Sequence, residues 1–273
     1  MRRRDLLTLA SAVPLTALAG CAAQATPDPT TATPTHTPRP TPATAQTAAP
    51  VPTPTPTAVA PQIEKIALPG PGQGLYDVGV DGDYLMWTVD DGGDAEVIRR
   101  YAEMARDSGT RLVFFPNAKY SGWAESADIL RPLVESGQVQ IGNHTYSHAD
   151  LTSLTDQGII DELTRNDNEL SAIFGVSTKP YYRPPFGYRN DHTDAVAASI
   201  GFTTPVMWYG SLSDSGLITE QQVLDFADQW FLAGHLIIGH ANFLPVTEVF
   251  PQLLQLLKDR GLQTVTLDDV YLR

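Results

Sequence analysis

Two aspartates stand side by side in "YLMWTVDDGGDAEVI", residues 84–98, after an apolar run and before two glycines. Adjacent carboxylates repel each other and resist desolvation, so Asp90 and Asp91 call for a cation or a reaction beside them. Further on, "GNHTYSHADL" sets His144 and His148 four residues apart. On one helical turn or in a tight loop, that spacing presents two imidazoles to a single point. Two histidines and one carboxylate hold a metal and leave positions for water and substrate. One aspartate then serves as ligand, and its neighbour takes the proton of a metal-bound water whose pKa the metal lowers toward ~7. Helix capping is the competing reading of the pair, but Asp94 fills that position better.

These residues need a scaffold that gathers them. A glycine followed by a short apolar run recurs at Gly109 before "RLVFF", Gly137 before "QVQIG", Gly201 before "FTTPVMW", Gly234 before "HLIIGH" and Gly261 before "LQTVTL", and more weakly at Gly175. Glycine just past a helix takes the left-handed conformation that satisfies terminal carbonyls, and the runs read as buried strands. The intervening segments carry helical apolar stripes: Val97, Ile98, Tyr101 and Ala105; Ile129, Leu130, Leu133 and Val134; Val246, Val249, Phe250, Leu253 and Leu257. About seven alternating strand–helix units imply a parallel sheet, closed or nearly closed into a distorted (β/α)7 barrel. Chemistry in such a fold gathers where strands end. Asp90 and Asp91, His144 and His148, Arg183 after "KPYY" and His240 after "HLIIG" all fall there. Adjacent strand residues point to opposite faces, so the Gly92-Gly93 turn must free the geometry that lets both aspartates serve one site.

The ends bound the rest. "MRRRDLLTLASAVPLTALAGC" has the charged start and apolar stretch of a secretory signal peptide, too short for a membrane span. Leu18-Ala19-Gly20-Cys21 resembles the lipobox of bacterial lipoproteins, and "RRDLL" loosely resembles a twin-arginine signal. Cys21 is the only cysteine, which fits lipidation and rules out a disulfide within the chain. Residues 26–61 hold 11 of the 22 prolines and two charged side chains. That composition favours an extended spacer of ~110 Å at most, at about 3.1 Å per residue. The expected organisation is a signal peptide over 1–20, a Thr/Pro-rich tether over 21–62 and one catalytic domain over 63–273. The expected location is the extracytoplasmic face of a bacterial membrane, held there only by lipid. Setting residues 1–20 aside moves the formal charge from −13 to −15, which argues against nucleic acid, anionic headgroups and strongly anionic substrates. Oligomeric state is not legible.

Taken in order, "TVDDGG", "HTYSH", "RPPFG" and "IIGHAN" resemble the motifs of the polysaccharide deacetylases (carbohydrate esterase family 4, the NodB homology domain), over roughly residues 83–273. The resemblance implies a distorted βα barrel. It also implies metal-dependent removal of N-acetyl, alternatively O-acetyl, groups from a sugar polymer such as peptidoglycan, a chitin-like glycan or poly-glucosamine. The metal is commonly Zn²⁺, with Co²⁺, Mn²⁺ or Ni²⁺ as alternatives. Carried over by position, Asp90 is the general base, Asp91, His144 and His148 are the metal ligands, and Arg183 holds the base. Asp214 orients His240, the acid that protonates the departing amine. The Phe186 N–H assists the oxyanion, with Pro185, Gly187 and Trp208 beside the substrate.

The chain departs from the family pattern in places. Val89 and Gly93 replace an aromatic residue and a proline, and in "WYGSLSDS" Ser211 and Ser215 stand where an aspartate and a tryptophan are expected. The alternative readings are a glycan-binding module without turnover and a hydrolase of another amide or of an acetate ester. Other candidates have plainer explanations: Asp268 and Asp269 as helix caps, His235 as structural, His192 in a loop or helix start. Trp123 and Tyr120 either stack on a sugar, pack in the core or close their loop.

Overall fold

The computed structural model describes residues 60–273. The expected signal peptide, Cys21 and residues 21–59 of the tether lie outside the described residues. Among the described residues, no helix is long and apolar enough to cross a membrane. The strands are β1 (Ile66–Ala67), β2 (Tyr84–Asp91), β3 (Leu112–Pro116), β4 (Val139–Ile141), β5 (Tyr181–Tyr182), β6 (Thr204–Pro205), β7 (Gly210–Ser211), β8 (Leu236–His240), β9 (Gln263–Thr264) and β10 (Tyr271–Leu272). All strand pairs are parallel, in the order β4-β3-β2-β8-β7, with β9 beside the start of β2. Strand β5 pairs with β6, and single bridges tie Asn143 to Tyr182 and Leu75 to Val206. The architecture is the expected α/β barrel, regular on one side and distorted on the other. Proline offers no N–H to a ladder, and Pro180, Pro184 and Pro205 bound or interrupt β5 and β6, which stay two residues long.

Strand β2 sorts its side chains by parity. Leu85, Trp87 and Val89 join the layer shared with helices, packing among Val97, Ile98, Tyr101, Phe231 and Phe250. Met86 belongs instead to the interior cluster with Val113, Phe115, Tyr181 and Leu236. Thr88 and Asp90 follow Met86 in parity and are buried with it inside the barrel. That places one carboxylate at the mouth of the interior.

The helices end as the glycines indicated. Helix Ala95–Ser108 starts at Asp94, whose side chain accepts from the Glu96 and Val97 amides, and stops at Gly109 with φ 76°. Helix Asp156–Phe174 stops at Gly175 with φ 77°. The stripe from Val246 to Leu257 is buried as expected, but it is not one helix. It divides into Pro245–Glu248 and Phe250–Asp259 around Val249. Pro251, in the first turn of the second piece, lacks the N–H a continuous helix would use.

Candidate active site

Asp91 would follow Val89 to the outer face if β2 ran on regularly. Its φ is 71°, a left-handed conformation that costs a non-glycine residue about 1–3 kcal/mol, and the turn brings its carboxylate back beside Asp90. Three groups hold it there: the Asn117 amide and Trp123 Nε1 each donate to the Asp91 carbonyl at 3.0 Å, and Asn242 Nδ2 donates to Asp91 Oδ2 at 2.7 Å. Gly92 follows at φ 105°, where a Cβ would lie 2.3 Å from the Trp123 indole nitrogen. Trp123 is therefore no sugar platform; it is fully buried in the core, as one reading had it, and from there it also fixes the turn. Tyr120 packs against the core.

The histidines sit on a strained loop after β4 rather than on a helical turn. Thr145 and His148 both have φ 64°. Asn143 anchors the loop, its Oδ1 accepting from the Thr145 amide at 2.9 Å, while Asn117 Nδ2 donates to the His144 and Thr145 carbonyls. His144 Nδ1 lies 2.7 Å from the Arg183 carbonyl, so that nitrogen carries the proton and Nε2 is left as a lone pair. His144 Nε2 and His148 Nε2 each lie 3.4 Å from Asp91 Oδ1. The donor atoms of Asp91, His144 and His148 all fall within 4.8 Å of one another.

Asp91 Oδ1 is buried and has no hydrogen-bond partner among the described residues, an arrangement that is costly without a cation. A carboxylate oxygen and two imidazole nitrogens around one point is a fitting donor set for a divalent metal. The electrostatics agree. Burial alone would raise the Asp91 pKa, but His144 and Asn242 hold it well below the usual carboxylate range. Burial works against a charged His144, yet Asp90 and Asp91 raise its pKa above the ordinary value, so the site favours positive charge there. Burial, then His144, lower the pKa of His148, keeping it a neutral donor.

Arg183 is fully buried. Its Nη1 donates to Asp90 Oδ1 at 2.5 Å and to Thr88 Oγ1 at 2.8 Å, while Nε and Nη2 donate to the Val206 and Met207 carbonyls. The grip on Asp90 is one-point, because Nε and Nη2 are taken by the Val206 and Met207 carbonyls. Asp90 Oδ2 is left 3.4 Å from His144 Nε2.

His240 ends β8, and its Cα is the register partner of Asp90. Asp214 holds it twice, accepting from the His240 amide at 3.2 Å and lying 3.0 Å from Nδ1. Burial disfavours the His240 charge, but the bond to Asp214 prevails and its pKa is raised.

Asp90, Asp91, His144, His148 and His240 line a pocket of about 440 Å³ together with Phe186, Gly187, Trp208, Ser211 and Ser215. Phe186, at φ 61°, is 59% exposed with its ring 4.5 Å from that of His148. Pro185 is buried and does not line the pocket, and Pro184 takes the lining position. Arg183 and Asp214 stand behind the pocket wall. Asp269 completes a capping box with Thr266 and pairs with Arg111, and Asp268 pairs with Arg273. His235 contacts the Trp230 carbonyl, and His192 opens a helix beside Asp156. Asn143 within "GNHTYSHADL" and Asn242 within "IIGHAN" have no role in the sequence reading, and Asn117 does not figure in it; no spacing rule marks a lone asparagine.

Residues 77–205 match the family model of the polysaccharide deacetylases, a segment that holds Asp90, Asp91, His144, His148 and Arg183 and ends before Asp214 and His240. The chain is 27% identical over 169 residues to a chitin deacetylase of Arthroderma benhamiae, covering 59% of this chain and 45% of that protein. It is 24% identical over 210 residues to a probable peptidoglycan-N-acetylglucosamine deacetylase of the same organism, covering 67% and 42%. The chain thus spans under half the length of either relative. Among solved structures, a CE4 family pseudoenzyme from Bacillus anthracis matches with TM-score 0.62 at 19% identity, over 73% of this chain and 70% of that one, a likeness of fold. Residues 77–205 thus resemble the polysaccharide deacetylases in sequence, and the barrel shares its fold with that solved neighbour.

Proposed function

We propose that this protein is a metal-dependent deacetylase that removes N-acetyl, alternatively O-acetyl, groups from an amino-sugar polymer such as peptidoglycan, chitin-like glycan or poly-glucosamine. The observation that carries this reading is the unpartnered, buried Asp91 Oδ1 facing two imidazole nitrogens, with Asp90 beside it and His240 across the neighbouring strand. A divalent cation, when bound by Asp91, His144 and His148, supplies Lewis acidity and an acidified water; Zn²⁺ suits this donor set best.

The chain's own residues do the rest. Asp90, fixed by Arg183 at Oδ1, accepts the proton of the attacking water at Oδ2. By the family resemblance, the Phe186 N–H assists the oxygen that gains charge as water adds to the acetyl carbon. His240, held through Nδ1 by Asp214, gives a proton from Nε2 to the amine nitrogen as the C–N bond breaks, releasing acetate. The raised pKa of His240 keeps that proton available near neutral pH. The polymer class rests on the two relatives named for chitin and peptidoglycan. Export and lipid anchoring through Cys21 rest on residues 1–21 of the sequence.

Acetate release from acetylated glucosamine oligomers, peptidoglycan and acetyl-xylan, with zinc and with a chelator, tests the proposal. Metal-dependent release is expected. Glycan binding without release under zinc would replace this reading with that of a binding module, for which Ser211 and Ser215 on the pocket wall are the motivating feature.

A further inference from the structure

Asn242 occupies a position no motif explained. Its Nδ2 donates to Asp91 Oδ2 at 2.7 Å and its Oδ1 accepts from the Gly93 amide at 2.9 Å. The two contacts fix the orientation of the amide: Gly93 N–H can only donate, so Oδ1 must face it and the NH₂ must face the carboxylate. Gly93 stands where the family resemblance calls for proline. Proline has no N–H, and a Cβ at Gly93 would lie 2.8 Å from Asn242 Oδ1. Gly93 and Asn242, 149 residues apart, thus form one unit around Asp91.

This unit divides the labour of the Asp91 carboxylate. Oδ2 is taken by a neutral donor. Oδ1 is left bare, buried and 3.4 Å from both imidazole nitrogens. A carboxylate so held gives a metal one oxygen rather than two. One oxygen and two nitrogens suit the low coordination number of zinc, whereas manganese prefers oxygen-rich, six-coordinate surroundings that a freed two-oxygen carboxylate would supply better. We infer that Asn242, oriented by Gly93, is a positioning residue that makes Asp91 a one-oxygen ligand and thereby biases the site toward zinc over manganese. The inference rests on the proposed metal site and concerns which metal it takes.

The test is competition titration of the metal-free full-length chain with Zn²⁺ and with Mn²⁺ against a chromophoric chelator, for the unaltered protein, Asn242→Ala and Asn242→Asp, with circular dichroism to verify folding. Asn242→Asp keeps the acceptor for Gly93 but turns an acceptor toward Asp91 Oδ2, so it separates support of the turn from control of the carboxylate. Loss of an outer partner weakens metal affinity by about 10–100-fold. That loss is expected for zinc in both variants, with a smaller loss for manganese, so that the zinc-to-manganese preference falls. Equal losses for both metals, or Asn242→Asp indistinguishable from the unaltered chain, would overturn the inference while leaving the metal site intact. Failure of the unaltered chain to bind either metal would overturn the metal site itself and the inference with it.

Discussion

Asp90 and Asp91 are chain neighbours on a strand, yet both carboxylates lie 3.4 Å from the same nitrogen, His144 Nε2. Strand geometry alone would send them to opposite faces. The left-handed turn at Asp91 reverses the second one, and Asn117, Trp123 and Asn242 hold it reversed. All five positive-φ non-glycine residues among the described residues, Asp91, Thr145, His148, Phe186 and Ser213, belong to the site or to the segments that frame it. Local strain is concentrated where the proposed chemistry needs side chains that regular structure would misdirect.

Asp90→Asn should cost about 10²–10⁴-fold in the rate of acetate release, the usual contribution of a general base. Zinc stoichiometry should stay near that of the unaltered chain, because Asp90 is outside the ligand group of Asp91, His144 and His148. Elemental analysis beside steady-state rates checks both halves. An unchanged rate would remove Asp90 from the role of base.

Asp214→Asn should shift the alkaline limb of the pH–rate profile to lower pH. Asp214 is the main group opposing the burial that disfavours the His240 charge, and the acid works only while protonated. With its folded pKa raised above the ordinary value, His240 contributes stability that is present below about pH 6.5 and lost as pH rises through the raised value. The variant should therefore also lose part of its stability advantage on the acidic side of that window. Rates and thermal midpoints from pH 5 to 9 measure both.

Arg183→Lys keeps a positive charge near Asp90 but should destabilise the fold by about 1–3 kcal/mol, the usual cost of leaving a buried acceptor unsatisfied. An ammonium cannot reach Asp90, Thr88 and the Val206 and Met207 carbonyls together, as the guanidinium does. Chemical denaturation gives the value, and a midpoint unchanged from that of the unaltered protein would contradict the geometry.

Zinc should raise the unfolding midpoint, by the equivalent of about 2.7 kcal/mol at a hundredfold excess over its dissociation constant. His148→Ala should abolish most of that gain while the metal-free midpoint moves little, since His148 is only partly buried. Thermal shift with and without chelator reads the difference.

Trp123→Phe keeps the buried ring but deletes the donor to the Asp91 carbonyl. It should cost about 1 kcal/mol in stability and weaken zinc binding measurably, because the turn that presents Asp91 is loosened. Unaltered zinc affinity would show that Asn117 and Asn242 suffice to hold it.

What the sequence determined by itself was the inventory and its rough address. Aspartates at the end of β2, histidines after β4, Arg183 after β5 and His240 at the end of β8 were all legible, because strand ends are marked locally by apolar runs and turn residues. The glycines at 109 and 175 were legible for the same reason, as was the Asp94 cap. Tertiary structure decided the rest through contacts between residues far apart in the chain. Asn242 reaches Asp91 across 151 positions, Arg183 reaches Thr88 across 95, and Trp123 grips the Asp91 carbonyl from the short helix Gly122–Glu125 after β3. No local pattern marks such partners, since one hydrogen bond imposes neither period nor composition on the segment that carries it. The one-point grip of Arg183 escaped for the same reason: it depends on which distant backbone carbonyls, those of Val206 and Met207, meet its other donors, which is settled only when the strands come together.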